Sequence, residues 1–321
     1  MFAYFTQVLQ RSWRMFLTVA KIMVPVLFIV HLADQLGLVH WIAQLLSPVM
    51  ALLNLPPEAG IVWVTTLLTN IYGGIATLGA LSDSLSLNTA QLSALGAMML
   101  IAHNLPMEQA IAQRAGASAL ITGALRIGVA MLYGAIVTWS LSALSLLGEP
   151  VNLAWLSTEI PKENLGFIDS WGVWLIGTLR TLGMTALIIS VLVVTLDLLE
   201  RIGFTRLLAK VMTPLLRLSG LDQRVAPVAT VGVLLGLSYG GALIIEEAQK
   251  SNFDAKTRLL ALSWLSLSHS LIEDTLLIAA LGADVWIILA GRVVMTLLVM
   301  ATMAWVLKRI QFGSTPVAPV S

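Results

Sequence analysis

The sequence predicts an all-α polytopic membrane protein made of two inverted-topology repeats with interrupted helices and re-entrant hairpins. Three observations predict it: a composition unsuited to water, apolar runs long enough to cross a bilayer, and the recurrence of charged and helix-breaking residues at one fixed spacing. Hydrophobic residues make up 58% of the chain and charged residues 11%, where a soluble domain carries about a quarter charged. The mean hydropathy is +0.91.

The same numbers exclude several functions. A net charge of +1 supplies no field for nucleic acid. The absence of cysteine removes disulfide frameworks, thiolate metal sites and cysteine nucleophiles together. No zinc-protease motif, nucleophile elbow or phosphate loop occurs, so neither an enzyme nor a cofactor is expected. Arg11 and Arg14 precede an apolar run from Met15 to Ala33 that is too long for a signal peptide and reads as a retained first helix.

Arg14 and Arg180 lie 166 positions apart, and so do Arg126 and Arg292. At that spacing Asp34 meets Glu200, Gly37 meets Gly203, Ser47-Pro48 meets Thr213-Pro214 and His103 meets His269. One added residue brings Tyr72-Gly73-Gly74 onto Tyr239-Gly240-Gly241. Charged residues and helix breakers recurring in one order mark an internal repeat. The organisation expected is a first repeat over 1–148, an extracytoplasmic linker over 149–170, a second repeat over 171–310 and a disordered tail over 311–321.

Lysine and arginine then orient the halves, because basic segments stay cytoplasmic. No basic residue occurs between Lys21 and Arg114, whereas the matching stretch of the second half holds Arg201, Arg206, Lys210, Arg217 and Arg224. Equivalent segments of opposite basic content belong on opposite sides of the membrane, as in inverted-repeat transporters. Both termini are expected in the cytoplasm of an inner (plasma) membrane protein, with the 149–170 linker outside. On this reading Lys250, Lys256 and Arg258 also fall outside, against the rule.

Within a half, Met15 to Ala33 spans. Trp41 to Leu53 and its counterpart Phe204 to Leu218 are too short to cross and should lie along the interface. The next segment, Ile61 to Leu81, reads as a span interrupted by Asn70, Tyr72, Gly73 and Gly74, and its counterpart carries Ser238, Tyr239, Gly240 and Gly241. Paired glycines weaken a helix by about 1 kcal/mol each, and a polar break at mid-membrane points to a binding site. Close helix packing is the alternative reading of such glycines.

The apolar run from Gln91 to Ala102 ends at His103-Asn104, and Leu259 to Leu267 ends at Ser268-His269-Ser270. Both are short enough to be re-entrant. A lone histidine is usually structural. Two at matched tips, with Glu108 and Glu273-Asp274 close behind, are candidates for function.

Arg126 and Arg292 sit about 12 Å inside their final helices. An arginine there costs at least about 2.5 kcal/mol if unpaired. Partners are expected among Glu108, Glu273, Asp274 or the tip carbonyls, in a clamp between hairpin and helix ahead of any substrate contact.

The candidate binding residues are therefore Asn70, Tyr72, Gly73, Gly74, His103, Asn104, Ser238, Tyr239, Gly240, Gly241, His269 and Ser270. The intramembrane charges are Arg126, Arg292, Glu108, Glu246, Glu247, Glu273 and Asp274.

The twofold arrangement of an Asn-x-Tyr-Gly-Gly or Ser-Tyr-Gly-Gly break followed by a His-Asn-Leu-Pro or His-Ser-Leu tip resembles the nucleoside-recognition, or Gate, domain family. The resemblance covers roughly Arg14 to Ser142 and Arg180 to Lys308. Similar domains occur in spore maturation proteins, in the membrane core of ferrous iron transport protein B and in concentrative nucleoside transporters. It implies a secondary-type transporter for a small polar solute of nucleoside-like class. The partners expected are the bilayer, that solute with a coupling ion, and a second copy of the chain. Two other readings stand beside it. One is a non-transporting assembly or signalling protein of spore-maturation type. The other is a divalent-cation permease using His103, His269, Glu108, Glu246, Glu247, Glu273 and Asp274, whose imidazole and carboxylate ligands suit such ions.

Overall fold

A computed structural model describes residues 2–153, 155–156, 167–203, 207, 210, 214 and 254–309. The break expected at Ser238, Tyr239, Gly240 and Gly241 lies outside these residues, as do Glu246, Glu247, Lys250 and the 311–321 tail.

The described chain is helical throughout. Four helices are long and apolar enough to cross a membrane, over Val8–Gln35, Ala119–Ala143, Trp171–Leu199 and Trp286–Arg309. The first belongs to α1 (Phe2–Gln35), which starts well before the apolar run because polar residues ahead of the bilayer continue the helix. Then come α2 (Leu38–Leu52), α3 (Pro57–Leu68), α4 (Ile71–Ala80), α5 (Thr89–Ile101), α6 (Leu105–Arg114), α7 (Ala119–Ala143) and α8 (Phe167–Arg201). After the undescribed stretch follow α9 (Ala255–Ser268), α10 (Glu273–Ala279), a π-helical turn over Trp286–Gly291 and α11 (Arg292–Arg309). In the second half α9 starts 166 positions after α5, and α11 ends 166 after α7.

Local chemistry explains the boundaries. Asn88 and Gln91 form a capping box at the start of α5, satisfying two otherwise orphaned amides. Asp254 caps α9 through the Thr257 amide, 2.8 Å away. Hydrogen bonds from the Thr257 hydroxyl and amide, with the nearby charges of Lys256 and Arg258, hold the Asp254 carboxyl below its usual range. The α2 and α3 axes meet at 97°, so an element too short to span turns sharply at Leu53–Pro56 into one that enters the core.

The direction of each short element follows from its neighbours. One end of the molecule gathers Asn54, the start of α5, the end of α7, residues 149–153 and Leu156. There Gln91 donates to Asn54 O at 3.1 Å, Thr89 N donates to Glu149 O at 3.0 Å, and Trp139 donates to Leu52 O at 2.9 Å. From that end α3 descends and α4 returns, because Gly74 packs against Thr66 while Gly79 comes back to the Leu156 carbonyl. The α3–α4 pair is therefore the re-entrant hairpin, with Asn70 at its tip.

By contrast, α5 and α6 run along α7 in one sense. Met98 packs on Gly134, Arg126 reaches Ile101 and Thr122 hydrogen-bonds Gln109. The residues at His103-Asn104 thus interrupt a span that continues through α6. Interrupted span and re-entrant hairpin are both present, in exchanged positions relative to the sequence reading. A dozen apolar residues fit either role, and only tertiary pairing distinguishes them.

The described helices near the chain's C-terminal end run against their counterparts. Arg258, near the start of α9, packs over Gly116 at the start of α7. Asp284 N, ahead of α11, donates to Ser93 Oγ near the start of α5 at 2.8 Å. Hence α11 runs opposite to α7. This corrects the placement of Lys256 and Arg258, which lie at the same end as Arg114, not at the end of the 149–153 segment.

At the far end of α1, Phe28 and His31 pack against Trp171 and Trp174 of α8. The two long helices therefore run antiparallel.

Candidate functional site

The interior of the molecule is built around the end of α5. A helix leaves its last four carbonyls without intrahelical partners, and inside a membrane each must be satisfied by protein. Here all four are. Met98 O accepts from Ala102 N at 2.9 Å, Met99 O from His103 Nδ1 at 2.9 Å, Leu100 O from Arg292 Nη1 at 3.4 Å, and Ile101 O from Arg126 Nε at 2.8 Å. Two guanidinium groups at the negative end of a helix dipole also suit its electrostatics. One arginine comes from each half, so this helix end binds the repeats together.

Arg126 also pairs with Glu108 Oε2, and both residues are buried. Arg292 is less well served. Its Nε and Nη2 have no hydrogen-bond partner among the described residues, although Asp274 lies within electrostatic reach. The π-helical turn before Arg292 interlocks with α7, because Tyr133 donates to Ile287 O at 2.8 Å. Such widened turns release a carbonyl and recur at functional positions. Nothing in residue types announced this one.

The two histidines meet. His103 Nε2 and His269 Nε2 are 2.9 Å apart. Glu108 Oε1 is 3.3 Å from the first and 3.2 Å from the second. All three residues are buried. Each histidine's Nδ1 faces the carbonyl four residues earlier, Met99 O for His103 and Leu265 O for His269. The adjoining residues Asn104 and Ser270 share left-handed backbone, with φ of 47° and 51°. For asparagine that conformation is tolerated, but serine adopts it rarely. The turn is thus imposed by the packing at both breaks.

The α3–α4 tip joins this centre. Asn104 N donates to Thr66 O at 3.0 Å, which satisfies a carbonyl freed where α3 ends. Asn70 caps α4 by accepting from Gly73 N at 3.0 Å, so its Oδ1 is already used. Gly73 and Gly74 lie inside α4 and do not interrupt it. A Cβ on either would collide with Thr69 or Thr66, and their role is close approach between the two arms of the hairpin. Tyr72 is half-buried and lies within electrostatic reach of Glu273 and Asp274. Of the candidate residues, Asn70, Tyr72, His103, Asn104, His269, Ser270, Glu108, Glu273, Asp274 and both arginines thus belong to one region. Gly73 and Gly74 frame it.

Comparison with known proteins agrees with a membrane protein. Over 306 residues the chain is 29% identical to "Uncharacterized membrane protein YvoD" of Bacillus subtilis (strain 168), an alignment covering 92% of this chain and 90% of that protein. No solved structure matches. Residues 16–125 match the Gate family, described as nucleoside recognition, a stretch that includes the α3–α4 tip, His103 and Glu108. This polytopic membrane protein is therefore similar, over residues 16–125, to the Gate, or nucleoside-recognition, domain.

Proposed function

We propose that the chain is a secondary-type transporter of the plasma membrane, built as two inverted repeats, that takes a small polar solute at the centre where the helix breaks meet. The observation that carries this reading is the hydrogen bond from Asn104 N to Thr66 O. It joins a re-entrant tip to a broken span at mid-membrane, the arrangement in which helix ends present free polar groups to a solute or ion. Non-helical backbone at that depth is tolerated where protein or a polar cavity surrounds it. Inversion is supported by the opposite senses of α7 and α11 and by the meeting of equivalent histidines.

The orientation proposed has both termini cytoplasmic. Arg114, Lys256, Arg258, Lys308 and Arg309 then share the inner end, and Glu149 the outer, in accord with the positive-inside rule. No catalytic role is assigned to any residue. The family description makes a nucleoside-like solute the first class to try.

The test is a thermal-shift screen of the purified full chain against nucleosides and other small polar solutes, since a ligand that binds the folded state raises its melting temperature. Uptake of the stabilising solute into proteoliposomes follows. A solute that both stabilises the protein and accumulates in the vesicles is the expected result. If no solute does either, the transporter reading falls and a membrane assembly role takes its place.

A further inference from the structure

Two imidazole nitrogens and one carboxylate oxygen converge on a single point in the protein interior, and the hydrogen bonds around them determine what that point can hold. A backbone carbonyl can only accept. The contacts of His103 Nδ1 with Met99 O and of His269 Nδ1 with Leu265 O therefore place a proton on each Nδ1. In neutral rings both Nε2 atoms are then bare acceptors. They face each other at 2.9 Å, and Glu108 Oε1 approaches both. Three lone pairs so close repel one another unless a proton or a metal cation lies among them.

We propose that His103, His269 and Glu108 form a binding site for one divalent first-row transition-metal ion, such as Mn²⁺, Fe²⁺ or Co²⁺. The inference stands on ligand geometry and does not require that the chain transport anything. With metal–ligand bonds of about 2.1 Å, adjacent ligands are about 3.0 Å apart in an octahedron and about 3.4 Å apart in a tetrahedron. The three separations, 2.9, 3.2 and 3.3 Å, run from the octahedral edge toward the tetrahedral one, so all three atoms can ligate one ion. Two histidines and one carboxylate leave further coordination positions open, the donor set found in non-haem iron sites.

The outer shell is also in place. Each ligating ring donates its second nitrogen to a carbonyl, and Arg126 holds the other oxygen of Glu108. Such contacts fix ring tautomer and carboxylate orientation in metal sites. Neither half can form the site alone, because His269 comes from the second repeat, and a bound ion would link the two breaks.

The experiment uses the full chain in nanodiscs, purified with a histidine-free tag and stripped with a chelator. It is titrated with Mn²⁺ and with Co²⁺, and bound metal is counted after gel filtration. The expected result is one ion per chain, ligand-field absorption bands from bound Co²⁺ and a raised melting temperature. His103→Gln and Glu108→Gln should each weaken binding by at least about tenfold, the loss that even outer-shell changes cause. Metal-free melting curves of both variants check that they fold. Wild-type protein that binds no metal overturns the proposal, and a proton shared between the two rings would give that result. Binding that both folded variants retain unchanged overturns it equally, because the ion would then sit elsewhere.

Discussion

His103 and His269 occupy equivalent positions in the two halves and meet at 2.9 Å between their Nε2 atoms. Equivalent atoms in contact place both histidines beside whatever axis relates the repeats. Each ring is held by its own helix end, through a carbonyl one turn earlier.

The two buried arginines should respond differently to truncation. Arg126→Met strands Glu108 in the interior, and breaking a buried pair in this way costs about 3 kcal/mol or more. Arg126→Lys should not restore it, since lysine cannot reach both Glu108 and Ile101 O with the same planar fork. Arg292 has one long hydrogen bond and two unpartnered nitrogens among the described residues. Arg292→Met should therefore cost markedly less. Thermal denaturation of both variants in one detergent checks the order, and equal losses would contradict it.

Because the chain has no cysteine, single-cysteine variants report sidedness directly. Arg114→Cys and Lys256→Cys should be labelled from the same side of the membrane, and Glu149→Cys from the other. The two halves would not be inverted if positions 114 and 256 reacted from opposite sides.

Gly74→Ala should be destabilising. Its Cβ would lie 2.8 Å from Met99 Cε and against the Thr66 hydroxyl. Overpacking of this kind costs about 1–3 kcal/mol. If the glycines served instead to weaken α4, alanine would raise the melting temperature.

Asn70→Ala should lower stability by about 1 kcal/mol through the lost helix cap, while Asn70→Ser keeps a capping oxygen and most of the stability. Melting curves of the pair separate this structural role from ligand contact. A solute that stabilises wild type but neither variant would show that Asn70 does both.

Membrane residence, the helical class and the 166-residue correspondence were legible in the sequence, because hydropathy and the order of charged residues are one-dimensional properties. So were Glu108 and tip carbonyls as partners for a deep arginine, since an unpaired guanidinium there is too costly to leave. The functions of Gly73 and Gly74 were not legible, because a glycine in a helix looks the same whether it weakens the helix or admits a neighbour.

Composition and periodicity thus determined what this protein is made of and that it is made twice. Only the tertiary structure decided which short apolar segment turns back and which continues. A run of about a dozen apolar residues satisfies its own backbone equally well in either case, and the choice rests on contacts such as Gly74 with Thr66 and Arg126 with Ile101 O. The same holds at the centre. The sequence placed two histidines at matched positions, but their meeting beside Glu108 depends on how α9 packs against α5 and α7, a relation between surfaces that no local pattern encodes.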